Sequence, residues 1–119
     1  MSEYKSNDLS ERFLDFSVKA FEIIKQLPYK KEFDVIRFQL SKSSTSIGAN
    51  YEESQATTKR EFPVKIRISL REALETRYWL RFINKLKVVE IQIVEPVLLE
   101  CIELIKILKS ILSKTDNAN

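Results

Sequence analysis

A chain of 119 residues makes one domain, spanning 1–119 and long enough to bury roughly two-thirds of the surface its unfolded form exposes. Its 44% apolar and 31% charged residues mark a globular chain, and a single glycine with three prolines leaves little material for hairpins, which favours an all-α fold. The net charge is only +3, and the absence of any histidine excludes imidazole-activated nucleophiles and His-containing metal sites.

The first predicted helix covers about residues 8–27. Asp8 with Glu11 has the form of a capping box, and Pro28 stops the segment. Leu9, Phe13, Phe16, Ala20, Ile23, Ile24 and Leu27 recur at three- and four-residue steps and form one apolar stripe. Leu14, Val18 and Phe21 lie nearly opposite. One stripe suffices for an internal core, so this second set, with Phe38 and Thr45 on the back of the next helix, is a candidate subunit interface.

The second helix is predicted over 32–56, with Phe33, Ile36, Leu40, Ser44, Ile47, Tyr51 and Ser54 as its buried stripe. Its middle is small. Side-chain size limits how near two helix axes come, so Ser44, Gly48 and Ala49 are expected to let the second and third helices nest, with Asn50 and Glu53 making buried polar contacts that fix their register. Serine hydroxyls that bond back to the preceding turn are tolerated there. Gly48 costs about 0.5–1 kcal/mol relative to alanine, which packing must offset. The run Ser46-Ile47-Gly48-Ala49-Asn50 lacks the several glycines and the lysine of a phosphate-binding loop.

The third helix is predicted over 59–87 from a capping box at Thr58 and Glu61, with Pro63 inside its first turns. At 100° per residue Arg60, Arg67, Arg71, Leu74, Tyr78, Arg81 and Lys85 fall within about 40° of one line. This is a basic stripe carrying an aromatic, and Phe62, Ile66, Ala73, Leu80 and Ile83 form the core face opposite. Residues 59–87 hold nine Lys or Arg against three Glu, a local charge of +6 that leaves −3 for the remainder. The stripe is a candidate phosphate-binding face with Tyr78 able to stack on a base; the competing reading is a solvated face or one consumed by intersubunit ion pairs.

The fourth helix is predicted over 94–113, with Pro96 in its first turn and an apolar stripe of Val97, Cys101, Leu104, Ile105, Leu108, Ile111 and Leu112. Residues 88–94 also alternate like a strand, but a lone strand has no partner in a helical chain. Residues 115–119 read as a frayed tail. The short connections force successive helices to run antiparallel, giving an up-down-up-down four-helix bundle.

No catalytic residues are assigned. Glu72 and Glu75 stand at i,i+3, but the Glu-x-x-His motifs of a carboxylate metal site are absent, and Glu75 is expected to pair with Arg71. Cys101 reads as a small buried hydrophobe, and Trp79 and Phe82 as core or interface residues. No metal, cofactor or small-molecule substrate is expected. No 18-residue apolar run or signal peptide is present, so no membrane partner is expected and the location is taken as cytoplasmic.

The segments SKSSTSIGANYEESQATTKREF (residues 41–62) and KIRISLREALETRYWLRFI (65–83) carry a resemblance. A helix with Ser-Ile-x-x-Asn-x-x-Glu, a turn, then a helix with an early Phe and an acidic segment ending Tyr-Trp-Leu resembles the four-helix-bundle proteins encoded within intervening sequences of 23S rRNA genes. The matching positions are Ser46, Ile47, Asn50, Glu53, Phe62, Glu72, Glu75, Tyr78, Trp79 and Leu80, with weaker extension through Phe13 and Leu27-Pro28. Pro63 and the proline-containing entry to the fourth helix depart from the pattern. The resemblance implies a bundle assembling as a ring-like homopentamer, in a family with no established enzymatic activity. The chain is also similar to the accessory variability proteins of diversity-generating retroelements, basic pentamers that engage nucleic acid and a reverse transcriptase. Two functions stand: a non-enzymatic homo-oligomer that binds RNA or DNA through the third helix, and a protein-binding scaffold whose basic residues serve its interfaces.

Overall fold

The computed structural model of the chain describes residues 2–118, with side chains described for 8–115. Four helices and no strand are present among the described residues: α1 (Ser2–Gln26), α2 (Asp34–Ser54), α3 (Phe62–Leu86) and α4 (Ile91–Ala118). A short 3-10 helix, Lys31–Phe33, leads into α2. Each helix packs on two others: α1 on α2 and α4, and α3 on α2 and α4.

The ends of the helices differ from those predicted, each for a local reason. α1 starts at Ser2, which places Asp8 inside the helix where it caps nothing. α2 starts at Asp34, and Arg37 anchors that corner: its guanidinium bonds Asp34 at 2.9 Å and also donates to the Pro28 carbonyl. The chain already turns helically at Thr58, whose carbonyl accepts from the Phe62 amide at 3.0 Å and whose hydroxyl accepts from the Glu61 amide at 3.2 Å. Regular helix is counted only from Phe62 because Pro63 has no amide hydrogen to continue the ladder. α3 ends at Leu86, within a residue of the predicted end, and its cap Lys87 takes the left-handed conformation (φ 56°) that usually falls to glycine. α4 begins at Ile91, not Val94: the Glu90 carbonyl accepts the amides of Ile93 and Val94, which removes the strand reading of 88–94. Pro96 therefore sits in the second turn. α4 also continues through the predicted frayed tail to Ala118, and Asn119 lies outside the described residues.

The apolar stripes become the core. All seven predicted stripe residues of α2 are buried, as are Phe13, Phe16, Ala20, Ile23 and Leu27 from α1. Ile66, Ala73, Leu80 and Ile83 of α3 and Val97, Cys101, Leu104, Ile105 and Leu108 of α4 complete it, with Phe62 packed against its edge. Each fully buried Ile or Leu contributes roughly 1.5–3 kcal/mol relative to exposure.

The small middle of α2 serves two neighbours, and its glycine faces the other one from that predicted. A Cβ at Gly48 would stand 2.9 Å from the Phe13 Cβ, so the close approach is to α1. On the same side the Ser17 hydroxyl donates to the Ser44 carbonyl at 2.8 Å, and the Phe13 and Tyr51 rings meet at 5.1 Å. The α2–α3 seam is built from Ser43, Ile47, Ser69 and Thr76. Ser69 donates to the Ile47 carbonyl at 2.7 Å, and the Ser43 and Thr76 hydroxyls bond at 2.8 Å. Thr76 also reaches the Glu72 carbonyl at 2.8 Å; since a hydroxyl has one proton, Thr76 donates there and accepts from Ser43. Every buried side-chain polar atom among the described residues is satisfied.

Three expectations for this region are corrected. Ala49 is exposed and is not packed between helices. Asn50 donates to the Ser46 carbonyl of its own helix at 2.8 Å. Glu53 is exposed and holds Lys65 of α3 at 2.7 Å, a surface pair and not a buried one.

Candidate nucleic-acid interface

The core face of α3 fixes what its other face can display. Burying Ile66, Ser69, Ala73, Thr76, Leu80 and Ile83 turns Arg67, Arg71, Tyr78, Arg81 and Lys85 to solvent; with Arg60, in the turn just before the helix, all six are exposed. Arg60, Arg71, Arg81 and Lys85 form no salt bridge among the described residues. Cations in this state keep their full charge for an external anion.

Near the C-terminal end of α3 three aromatic rings form a cluster. Tyr78 and Phe82 are one turn apart, their rings 9° from parallel with centroids 6.3 Å apart. Trp79 meets both edge-on, at 5.3 and 5.9 Å, and packs against the core. Its indole N–H donates to Glu75 at 3.2 Å, so Glu75 takes Trp79 in place of the predicted Arg71. Tyr78, Arg81, Phe82 and Lys85 line a shallow groove of about 150 Å³. Phe82 is 39% exposed and does not belong to the core; its position about 20° beyond the edge of the basic stripe was the signal available in the sequence.

The predicted interface residues occupy another surface. Leu14, Val18 and Phe21 line one groove of about 420 Å³ together with Thr45, bordered by Glu22 and Lys25. Phe38 is 62% exposed but lies outside that groove. Of the packing residues, Ser44 and Ile47 are buried, Ser46, Gly48 and Asn50 are half-buried, and Ala49 and Glu53 are exposed.

Several structural residues gave weaker sequence signals. Ser17, Ser69 and Thr76 interrupt apolar stripes with hydroxyls that bond neighbouring helices. Arg12 grips Glu100 with two nitrogens at 2.6 and 2.9 Å, joining α1 to α4 and raising the guanidinium pKa further.

Acid–base or thiol chemistry finds little support in these positions. Burial, then Glu75, pushes the Glu72 carboxyl up, while Lys42 and Arg71 pull it back. The Cys101 thiol is pushed up to about 12 by burial and donates to the Ala73 carbonyl, which keeps it far from a reactive thiolate. The wide hollow of about 650 Å³ beside the α3–α4 connection is lined by Gln26, Asn84, residues 87–89, Glu90 and Ile91, with one carboxylate and one amine in the set. No cluster of three or more metal-ligating side chains occurs among the described residues. No described helix is long and apolar enough to cross a membrane.

Comparison with known proteins gives a family and no activity. The family model described as 23S rRNA-intervening sequence protein matches residues 5–110. No curated protein matches. The fold is similar to the crystal structure of a protein of unknown function from the S23 ribosomal protein family of Bacteroides thetaiotaomicron, with 31% identity and a TM-score of 0.79 over 87% of this chain and 96% of that one. A match over most of the chain settles its kinship: the chain belongs to the 23S rRNA-intervening sequence protein family.

Proposed function

We propose that the protein is a non-enzymatic, cytoplasmic homo-oligomer that binds nucleic acid, RNA or DNA, through the outer face of α3. The observation that carries this reading is the row of exposed cations, four of them without a salt bridge among the described residues, on a segment whose local charge is +6. Phosphate contacts of this kind position a nucleic acid without reading its sequence. The assembly we infer is a ring-like homopentamer of antiparallel, up-down-up-down bundles. In support, partners descend along one helix as they ascend along its neighbour: Phe13 with Tyr51 and Ser17 with Ser44, then Ser43 with Thr76 and Glu53 with Lys65. The groove of Leu14, Val18 and Phe21 supplies apolar surface for a second copy. Five copies of the α3 face would turn weak single contacts into avidity.

That same apolar groove favours the second reading, a scaffold that binds proteins and leaves nucleic acid alone. Fluorescence anisotropy of labelled RNA and DNA separates the two. Binding that is lost in an Arg60→Glu, Arg71→Glu variant of unchanged oligomeric state supports the first reading. Absence of binding at low salt sinks it and leaves the scaffold.

A further inference from the structure

We propose that Tyr78 and Phe82 form a stacking platform for an unpaired base, so that the α3 face selects single-stranded over duplex nucleic acid. This rests on the nucleic-acid reading above and specifies what that face accepts. Tyr78 is 56% and Phe82 39% exposed, a large outlay of aromatic surface on a helix whose core face is already filled. Their rings run nearly parallel, and Trp79 buttresses both from the core side while Glu75 holds its indole N–H. A platform braced in this way needs little ordering when a ligand arrives.

The other two side chains lining the groove are Arg81 and Lys85. A flat apolar surface flanked by cations matches a nucleotide, which offers a π-face and a phosphate together. An apolar peptide would have to strip water from both cations without supplying an anion in exchange. At about 150 Å³ the groove takes one ring system and falls short of the roughly 300–1,000 Å³ of small-molecule sites. In a duplex the base faces are covered by their neighbours, so a duplex reaches only the cations.

The test uses a labelled oligoadenylate of about 12 nucleotides, which stays unpaired, beside an RNA duplex of equal length. Anisotropy gives affinity, and the chain's single tryptophan, Trp79, reports on the groove by its fluorescence. The expected result is tighter binding of the single strand, with Trp79 fluorescence changing for it alone. Tyr78→Ala should weaken single-strand binding by about 5- to 150-fold, the range for losing one stacked base, and leave duplex binding unchanged. Tyr78→Phe should restore it. Equal binding of both RNAs, insensitive to Tyr78→Ala yet abolished by Arg60→Glu, Arg71→Glu, overturns the platform and spares the basic face. Failure of both RNAs to bind overturns both. An equal Trp79 response to polyglutamate assigns the groove to acidic protein and overturns the platform.

Discussion

Replacing Gly48 by alanine should destabilise the protein, although alanine is the better helix former. On an open helix face the exchange gains about 0.5–1 kcal/mol. Here the new methyl carbon would lie 2.9 Å from the Phe13 Cβ, well inside van der Waals contact. That atom is attached directly to the α1 backbone, so no side-chain rotation moves it away; α1 itself must shift. Phe13 is fully buried and pairs with the Tyr51 ring, so the shift disturbs packing on both sides. Overpacking of this kind typically costs about 1–3 kcal/mol, and subtracting the propensity gain leaves a net loss centred near 1 kcal/mol, within a range of about 0–2.5 kcal/mol. Urea unfolding followed by far-UV circular dichroism, at fixed protein concentration because assembly couples to stability, measures it. A gain of 0.5 kcal/mol or more, as an open face gives at about that size, would refute the close α1–α2 approach.

Other substitutions test neighbouring inferences. Ser44→Leu should cost about 1–3 kcal/mol by overpacking a fully buried site, whereas Ala49→Leu, on an exposed position, should leave the fold of the chain near its original stability; equal losses in thermal melts would contradict the facing of α2. Lys87→Gly should stabilise by about 0.5–1 kcal/mol, seen as a higher urea midpoint, because lysine is strained at φ 56° and glycine is not. For Glu72 the folded state favours the protonated acid, so its ionisation weakens the fold as pH rises from the ordinary carboxylate range, about 4.3, through the raised folded value. Glu72→Gln should remove that loss, leaving the variant the more stable at neutral pH and near parity in acid; parallel stability–pH curves would show that the burial of Glu72 has no energetic effect.

What the sequence revealed and what it concealed divide along a physical line. The stripe from Phe33 to Ser54 is fully buried because burial is what imposes a helical period on apolar residues. The basic stripe of α3 is exposed for the complementary reason. Gly48 announces a close approach, but which helix approaches depends on the register set by Phe13, a contact 35 positions away that no local pattern encodes. The end of α3 was legible to within a residue, whereas the start of α4 was hidden because a helix can carry Pro96 in its second turn, where the carbonyl it orphans belongs to the exposed residue Gln92. The aromatic cluster was half-legible. Tyr78 lies on the basic stripe, but Trp79 and Phe82 read as core or interface residues until Glu75 and the core fix where the indole sits.

The most direct examination of the α3 face is the slope of log binding constant against log salt for a single-stranded RNA, measured for the wild type and for Arg60→Glu, Arg71→Glu. Each phosphate neutralised contributes about −0.7 to the slope. If these arginines hold phosphates, the wild type shows a steep negative slope, and the variant binds more weakly with a slope flattened by about 0.7 per arginine contact removed. A wild-type slope near zero, or an identical slope in the variant, would contradict phosphate binding by this face and return its cations to solvent.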